Sequence, residues 1–373
     1  MTRWQALWLL IVFGGTSVVW AQEVPRTEDV AFPGGADDVE LAGTLLVPAT
    51  ASEDAPCAGV VLVTGSGPQD RDETILNKKP FRVLAEGLAA RGFAVLRYDD
   101  RGTKGLGIGA STGSFEGSTT ADFAEDAAAA LAFLEARTEV DASRVFVCGH
   151  STGGLVTAHL LAKEQVPAGA VILAGPAVRG VDLLNRQQEA ILKKTHAVGK
   201  SGLTDEQVEG MLPKQSAFIS AVVSGDEEGA DLAARELIRF QVGIQMKNPD
   251  VELPEAQMSA AVQQAIAPLQ ETWMSYFLNY DPIPGLQSAK VPVLAIFGGR
   301  DLQVLPSQNA DPMTRALMEA GDRRSRVVTF PAFNHLFQKA ETGLLDEYGS
   351  LPSDLDPSVV KTIADWLEEI DAR

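Results

Sequence analysis

Cysteine and histidine are scarce in this chain, with two cysteines and four histidines among 373 residues. The sequence has neither an HExxH motif nor cysteine pairs at zinc-binding spacing, so nothing in it supports a metal site. Cys57 begins one predicted strand and Cys148 ends another. Because these strands are predicted to be parallel, the two thiols would lie at opposite ends of a sheet, beyond the roughly 7 Å that a disulfide can span. We therefore expect two buried free thiols.

Basic residues are outnumbered, since 31 lysines and arginines face 50 aspartates and glutamates, which gives a net charge of −19. A field of that sign repels phosphate backbones and anionic lipids, so the charge disfavours nucleic acid and membrane surfaces as partners. Apolar residues make up 45% and charged residues 22% of the chain, which is ordinary globular composition. These proportions exclude disordered, collagen-like and coiled-coil proteins.

Long apolar runs are absent apart from residues 4–15, which follow Arg3. The small residue Ala21 then follows, with Val19 two positions before it, so we expect a signal peptide over residues 1–21, cut after Ala21. The alternative is an uncleaved membrane anchor, but the run is shorter than the roughly 20 residues that span a bilayer. The expected product is exported to the periplasm or the medium without stable membrane association.

Short apolar runs alternate with helical patterns through most of the chain, which predicts a mostly parallel sheet covered by helices on both faces. The predicted strands are 40–47, 59–64, 93–98, 144–148, 170–174, 291–297 and 326–330. The predicted helices are 80–91, 121–137, 153–163, 307–320 and a last helix that begins at Asp356 and Pro357. Residues 29–32 should pair with 40–47 across the Gly34-Gly35 turn, as an antiparallel hairpin at one sheet edge.

The alternation stops after Gly175. From 177 to 290 the apolar positions recur at helical spacing, and Thr204 with Gln207 three residues later has the pattern of a capping box. This segment is predicted to be a helical cap, inserted between two parts of one core, 22–176 and 291–373.

The first candidate catalytic motif is Gly149-His150-Ser151-Thr152-Gly153, which lies between a predicted strand and a predicted helix. A serine on such a sharp turn is presented outward, and glycines two residues to either side let the strand and the helix approach each other. Ser151 is therefore the predicted nucleophile. A chance Gly-x-Ser-x-Gly in a loop is the competing interpretation, which the flanking elements disfavour.

A serine nucleophile needs a histidine base, and the histidine must be oriented by a carboxylate. Only His335 follows the last predicted strand, where the order serine, acid, histidine would place the base. Asp301 follows the preceding strand and is the predicted acid, with Asp311 as the fallback. Backbone N–H donors for the oxyanion are expected at Thr152, which follows the nucleophile, and in the Gly65-Ser66-Gly67-Pro68 turn, where Ser66 is the first choice and Gly67 the second.

The elbow, Asp301, His335 and the order of elements resemble the α/β-hydrolase superfamily over essentially residues 40–373. The runs 63–72, 97–102 and 334–338 are similar, more narrowly, to secreted bacterial esterases of the EstD type, which carry a serine aminopeptidase-type hydrolase domain. This resemblance implies an α/β-hydrolase fold and cleavage of carboxylic esters without a cofactor. Thr64 departs from the pattern, because many hydrolases have a histidine there.

Other residues have two competing interpretations. Trp273 and Phe277, with Gly67, are candidate substrate-binding residues, but Trp273, Tyr276 and Phe277 recur at helical spacing and are equally consistent with packing between cap and core. Opposite charges in two loops predict ion pairs that tie the loops together rather than substrate ligands. These charged residues are Asp70, Arg71, Asp72, Asp99 and Arg101. The glycine-rich segment 102–113 lacks the Lys-Ser/Thr ending of a phosphate-binding loop.

The sequence thus favours an exported carboxylesterase that acts on a small-molecule ester through an acyl-serine intermediate. The alternatives are an exported serine aminopeptidase, in which Glu206, Glu227 or Glu236 would bind a substrate amine, an acyl thioesterase, or a non-catalytic binding protein on the same fold. No motif bears on the oligomeric state.

Overall fold

The computed structural model describes residues 24–166 and 168–372, and its centre is one eight-stranded sheet. The strands are β1 (Arg26–Pro33), β2 (Glu40–Val47), β3 (Cys57–Val63), β4 (Ala94–Tyr98), β5 (Val140–His150), β6 (Gly169–Leu173), β7 (Val293–Gly298) and β8 (Arg326–Phe330). Their order across the sheet is β1-β2-β4-β3-β5-β6-β7-β8. Six strands, from β4 to β8 in that order, are parallel, so their carboxyl ends meet at one edge.

The first two strands form the predicted antiparallel hairpin. Phe32 pairs with Leu41 and Arg26 with Val47, and β2 then pairs antiparallel with β4. The central strands are buried along almost their whole length, as expected where helices cover both faces of a parallel sheet.

The helices outside the insertion cover the two faces of the sheet. They are α1 (Pro80–Ala89), α2 (Thr103–Leu106), α3 (Thr120–Glu135), α4 (Thr152–Ala162), α11 (Pro306–Ala320), α12 (Leu345–Tyr348) and α13 (Pro357–Asp371). In α13, Asp356 caps the amino end by accepting the Ser358 N–H, and Pro357 occupies the first turn, as predicted. The apolar stripe of that helix, which includes Trp366 and Leu367, is buried in the main core.

Helices follow one another without a strand between β6 and β7. They are α5 (Gly180–Ala197), α6 (Asp205–Ser224), α7 (Glu227–Met246), α8 (Glu255–Gln270), α9 (Thr272–Asn279) and α10 (Ile283–Gln287). Helix α6 begins at the predicted capping box, where the Thr204 side chain accepts the Gln207 N–H and the Gln207 side chain accepts the Thr204 N–H.

The middle of this insertion has an apolar cluster of its own. Helices α6, α7 and α8 bury a separate set of side chains: Met211, Phe218, Ile219, Ala230, Ala234, Leu237, Met258, Val262 and Ile266. By contrast, Leu183 of α5 and Phe277 and Leu278 of α9 belong to the main core. Helices α5 and α9 therefore attach the insertion to the sheet domain.

Both cysteines are free, as predicted, but they differ in burial. Cys148 is fully buried, whereas Cys57 is only partly buried. Cys57 pairs with Val140 and Cys148 pairs with Leu62, which places the thiols at opposite ends of β3 and β5. The expectation of two buried thiols is thus correct for Cys148 only, because Cys57 is the first residue of β3 and reaches the sheet margin.

The predicted signal peptide lies outside the described residues. Within residues 24–166 and 168–372, no helix combines the length and apolar character needed to cross a bilayer.

Candidate functional site

Ser151 occupies a strained turn between β5 and α4. Its φ of 53° and ψ of −116° lie outside the favoured regions for a residue with a side chain, and its N–H donates to Leu173 O at 2.8 Å. The flanking glycines make this turn possible. A Cβ at Gly149 would lie 2.1 Å from Gly153 O, and a Cβ at Gly153 would lie 2.4 Å from Val63 O. The turn therefore has the geometry of a nucleophile elbow.

Asp301 and His335 meet at the carboxyl edge of the sheet. Asp301 follows β7 and His335 follows β8, and Asp301 Oδ2 lies 2.7 Å from His335 Nδ1. The other carboxylate oxygen, Oδ1, accepts the N–H groups of Gln303 at 2.7 Å and Val304 at 3.0 Å. Because Asp301 and His335 are 2% and 4% exposed, water does not compete for this contact. The carboxylate thus holds a proton on Nδ1 and leaves Nε2 free to accept one.

Ser151 and His335 are brought to the same site through His150. The rings of His150 and His335 lie 4.7 Å apart between centroids, and His150 directly precedes the serine. Within the described chain, Ser151 Oγ makes no hydrogen bond with His335. Catalytic hydrogen bonds are often long before substrate binds, so this arrangement is compatible with a serine and base that engage in the complex.

Two backbone N–H groups lie beside the serine without an acceptor in the described part of the chain. They belong to Thr152, the first residue of α4, and to Ser66 in the turn after β3. The two segments touch directly, because Ser66 Oγ and Thr152 Oγ1 are 2.6 Å apart. Gly67 follows with a φ of 83°, which a glycine tolerates without strain. The two segments that carry the predicted oxyanion donors are therefore in contact.

A second buried histidine and carboxylate were missed by the sequence analysis. His150 Nδ1 lies 2.7 Å from Glu73 Oε1, and His150 Nε2 lies 2.9 Å from His335 O. The same Glu73 oxygen accepts the Gly65 N–H at 2.8 Å. His150 was visible inside the elbow motif, but no signal in the sequence pairs it with Glu73, which is 77 residues away.

The charged residues of the two neighbouring loops pair with one another and with α3. Arg71 binds Asp99 through Nε and Nη2 at 2.9 and 2.8 Å, and Arg101 binds Asp126 of α3 at 2.6 and 2.8 Å. Hydrogen bonds from Arg71 hold the pKa of Asp99 below its ordinary value, although burial alone would raise it. These contacts are those expected of loop-tying ion pairs.

Asp70, Asp72 and Thr64 complete this network. Asp70 accepts the N–H and the hydroxyl of Thr74, and Asp72 contacts Arg97 and Lys79. The hydroxyl of Thr64, at the position that departs from the family pattern, donates to an Asp100 oxygen at 2.7 Å. Thr64 thus joins the turn after β3 to the loop after β4.

Trp273 and Phe277 form part of an aromatic contact between α9 and the sheet domain. Their rings stack with centroids 5.4 Å apart, and Trp273 also lies 6.3 Å from Phe115, which stacks on Phe123 of α3. Phe277 is largely buried in the main core. These contacts are of the kind that the packing interpretation expects.

No group of three or more histidine, cysteine, aspartate or glutamate side chains within the described ranges is arranged to hold a metal ion.

The chain is similar to known hydrolases in sequence and in fold. Residues 79–246 match the family model described as serine aminopeptidase, S33. Among solved structures, the α/β hydrolase GrgF of Penicillium sp. sh18 superimposes with a TM-score of 0.52 at 17% identity, over 93% of this chain and 100% of that one. An esterase of Pyrococcus furiosus also gives a TM-score of 0.52, at 15% identity, over 92% of this chain and 91% of that one. The chain therefore has the α/β-hydrolase fold.

The chain is also similar in sequence to a curated esterase. The esterase EstD of Thermotoga maritima is 27% identical over 330 residues, which are 88% of this chain and 65% of that protein. The chain thus spans slightly less than two thirds of the length of that relative.

Proposed function

We propose that the chain is an exported serine hydrolase that cleaves carboxylic esters of small molecules through an acyl-serine intermediate. The observation that carries the proposal is the combination of a serine elbow with a buried Asp301–His335 pair, 2.7 Å apart, on neighbouring strand ends. Its similarity to the esterase EstD supports an ester substrate.

The geometry supports a distinct role for each residue. His335 Nε2 accepts the proton of Ser151 as the serine oxygen attacks the ester carbonyl, and then returns it to the departing alcohol. Asp301 keeps the imidazole in the required tautomer and stabilises its charged form. The N–H groups of Thr152 and Ser66 stabilise the negative charge on the carbonyl oxygen. A water molecule activated by His335 then releases the acid and frees the enzyme.

The inserted helices α5–α10, within residues 177–290, are proposed to act as the cap over this site, with the sheet domain formed by 22–176 and 291–373. The contact of Trp273 with Phe115 and the burial of Phe277 in the main core support an attachment of the cap to the sheet domain. Export rests on the sequence pattern of residues 1–21.

The test replaces the nucleophile and keeps the fold. Ser151→Ala should abolish turnover of a short-chain p-nitrophenyl ester and labelling by a fluorophosphonate probe, because no other group at the elbow can form the acyl intermediate. Ser220→Ala, on an exposed position of α6, is the matched control and should retain both. Ester turnover that survives in Ser151→Ala would overturn the proposal, and circular dichroism would show that both variants are folded.

Peptide-bond cleavage is the second candidate, because the matching family model is described as serine aminopeptidase. The acids suggested for binding a substrate amine do not favour it. Glu206, Glu227 and Glu236 are exposed on the insertion, and Glu236 is already paired with Lys214. Aminoacyl amides, simple esters and acyl thioesters assayed side by side would separate the candidates. Faster turnover of the amides would favour the aminopeptidase, and faster turnover of the thioesters would favour the thioesterase.

A further inference from the structure

With Glu73 ionised, the contacts of His150 call for a proton on each ring nitrogen. Nδ1 faces a carboxylate oxygen of Glu73 at 2.7 Å, and Nε2 faces the backbone oxygen of His335 at 2.9 Å. A neutral imidazole has one N–H and one lone pair. Neutral His150 beside ionised Glu73 would therefore point a lone pair at an oxygen in one of these two contacts. The imidazolium satisfies both, because each nitrogen then donates.

The surroundings of this pair are dry. Glu73 is 1% and His150 is 3% exposed, and the small cavity beside them, lined by Phe81, Leu84 and Phe337 among others, measures about 10 Å³. A cavity of that size is at the lower limit for holding one water molecule. Glu73 Oε2 has no hydrogen-bond partner among the described residues. Since a lone carboxylate is costly in such a place, a positive charge on His150 is the compensation that the structure offers.

Other titratable groups around the pair also bear on its charge. Burial alone would lower the pKa of His150, but the charge and hydrogen bond of Glu73, the His335 carbonyl and the charge of Asp301 together raise it above its ordinary value. Near Glu73, burial raises the pKa of both the Cys148 thiol and the Asp100 carboxyl.

The pair also joins the three segments that form the proposed active site. Glu73 Oε1 accepts the N–H of Gly65, which precedes Ser66 in the oxyanion turn. His150 Nε2 holds the backbone of His335, and His150 itself precedes Ser151. Glu73 reaches this position with a φ of 53°, a strained conformation for a residue with a side chain.

We propose that His150 is a permanent imidazolium and Glu73 its carboxylate partner, and that this buried ion pair positions the oxyanion turn and the His335 loop against Ser151. Both are positioning residues, because neither touches the reacting atoms. The effect on rate rests on the proposed ester hydrolysis, whereas the protonation state of His150 does not.

Nitrogen-15 NMR of the imidazoles tests the protonation state directly. The chain has only four histidines, so the variants His150→Gln, His159→Gln and His196→Gln assign every signal. We expect both ring nitrogens of His150 to stay protonated from pH 6 to pH 8. His159 is the internal reference, because burial lowers its pKa to about 4 and keeps it neutral over the same range. An unprotonated nitrogen on His150 at pH 7 would overturn the proposal.

Kinetics test the positioning role. Glu73→Gln keeps an oxygen for the Gly65 N–H but removes the charge, so His150 should lose its second proton near neutral pH. We expect kcat to fall by a factor of about 10 or somewhat more, with KM nearly unchanged. This loss is smaller than the roughly 10²-fold to 10³-fold fall in kcat that follows removal of an oxyanion donor. The variant's rate should also decline as pH rises through the lowered pKa of His150, a step that the parent protein lacks.

A second histidine of this chain, His159, provides the control for Glu73→Gln. His159→Gln replaces a histidine that contacts Tyr276 and Tyr280 of the insertion, and should keep the parent's kcat and pH profile. A Glu73→Gln variant with the parent's kcat and pH profile would overturn the positioning role. If Glu73→Gln fails to fold, the NMR result on the parent protein still decides the protonation state. A doubly protonated His150 in a chain without esterase activity would refute the proposed function alone.

Discussion

Replacing Asp301 by asparagine separates the orientation of His335 from its mere presence. Asp301 Oδ1 accepts two backbone N–H groups, from Gln303 and Val304, while Oδ2 accepts the His335 Nδ1–H at 2.7 Å. In Asp301→Asn the amide oxygen should keep the two backbone contacts, because only an oxygen can accept them. The amide NH₂ is then directed at His335 Nδ1.

The expected loss of kcat follows from the reversed hydrogen bond at His335 Nδ1. An NH₂ group donates, so Nδ1 must become the acceptor, and the imidazole proton moves to Nε2, where it prevents His335 from accepting the serine proton. The same exchange in a serine protease triad lowers kcat about 10⁴-fold, which corresponds to about 5.4 kcal/mol of transition-state stabilisation. Asp301 is 2% exposed, so water is not available to restore the tautomer, and we expect a loss of about 10³-fold to 10⁴-fold here.

The assay compares kcat on a short-chain p-nitrophenyl ester, together with the rate of fluorophosphonate labelling. Asp311→Asn is the matched control, since Asp311 is the other acid considered and lies exposed on α11. It should leave both rates unchanged. An Asp301→Asn variant that keeps more than a tenth of the parent kcat, or an equal loss in Asp311→Asn, would refute the assignment. Equal melting temperatures would show that the difference is catalytic.

Two further predictions concern stability. Gly149→Ala should destabilise the fold by about 3 kcal/mol in urea unfolding, because its Cβ would lie 2.1 Å from Gly153 O, whereas Gly105→Ala, with open space around it, should have little effect; equal effects would contradict this. The carboxylate of Asp99, whose folded pKa lies below its ordinary value of about 3.9, stabilises the fold fully above that value and loses this contribution as pH falls through the folded pKa. Arg71→Met should therefore cost about 3 kcal/mol at pH 7 and progressively less in unfolding measured towards pH 3, and a constant cost would contradict the linkage.

Local patterns were sufficient for most of the architecture. Elements of both the sheet domain and the insertion follow from short-range signals, such as the apolar run of β3 and the Thr204 capping box of α6, whose physical causes lie within a few residues. Boundaries were less accurate. The run 144–148 predicted a short strand, whereas β5 extends over Val140–His150. Val140 pairs with Cys57 of β3, and Gly149 and His150 pair with β6, so partners on neighbouring strands extend β5 at both ends.

The candidate site residues also divide into those that local patterns predict and those that only the tertiary structure places. Ser151, Asp301 and His335 could be singled out because each follows a predicted strand, and the carboxyl ends of parallel strands meet at one edge of the sheet. The contacts of Trp273 could not be chosen in advance, because helical spacing alone does not say which surface an aromatic side chain covers.

The sequence by itself determined the order of strands and helices, the helical insertion and the three side chains at the proposed centre of the chemistry. Only the tertiary structure decided that Glu73 reaches His150 and that one carboxylate oxygen serves both this histidine and the Gly65 N–H. The physical reason is the separation along the sequence of the residues that interact. Strand and helix patterns record interactions between near neighbours, whereas a buried charge acquires its partner from a segment 77 residues away, once the sheet has brought both into a space that excludes water.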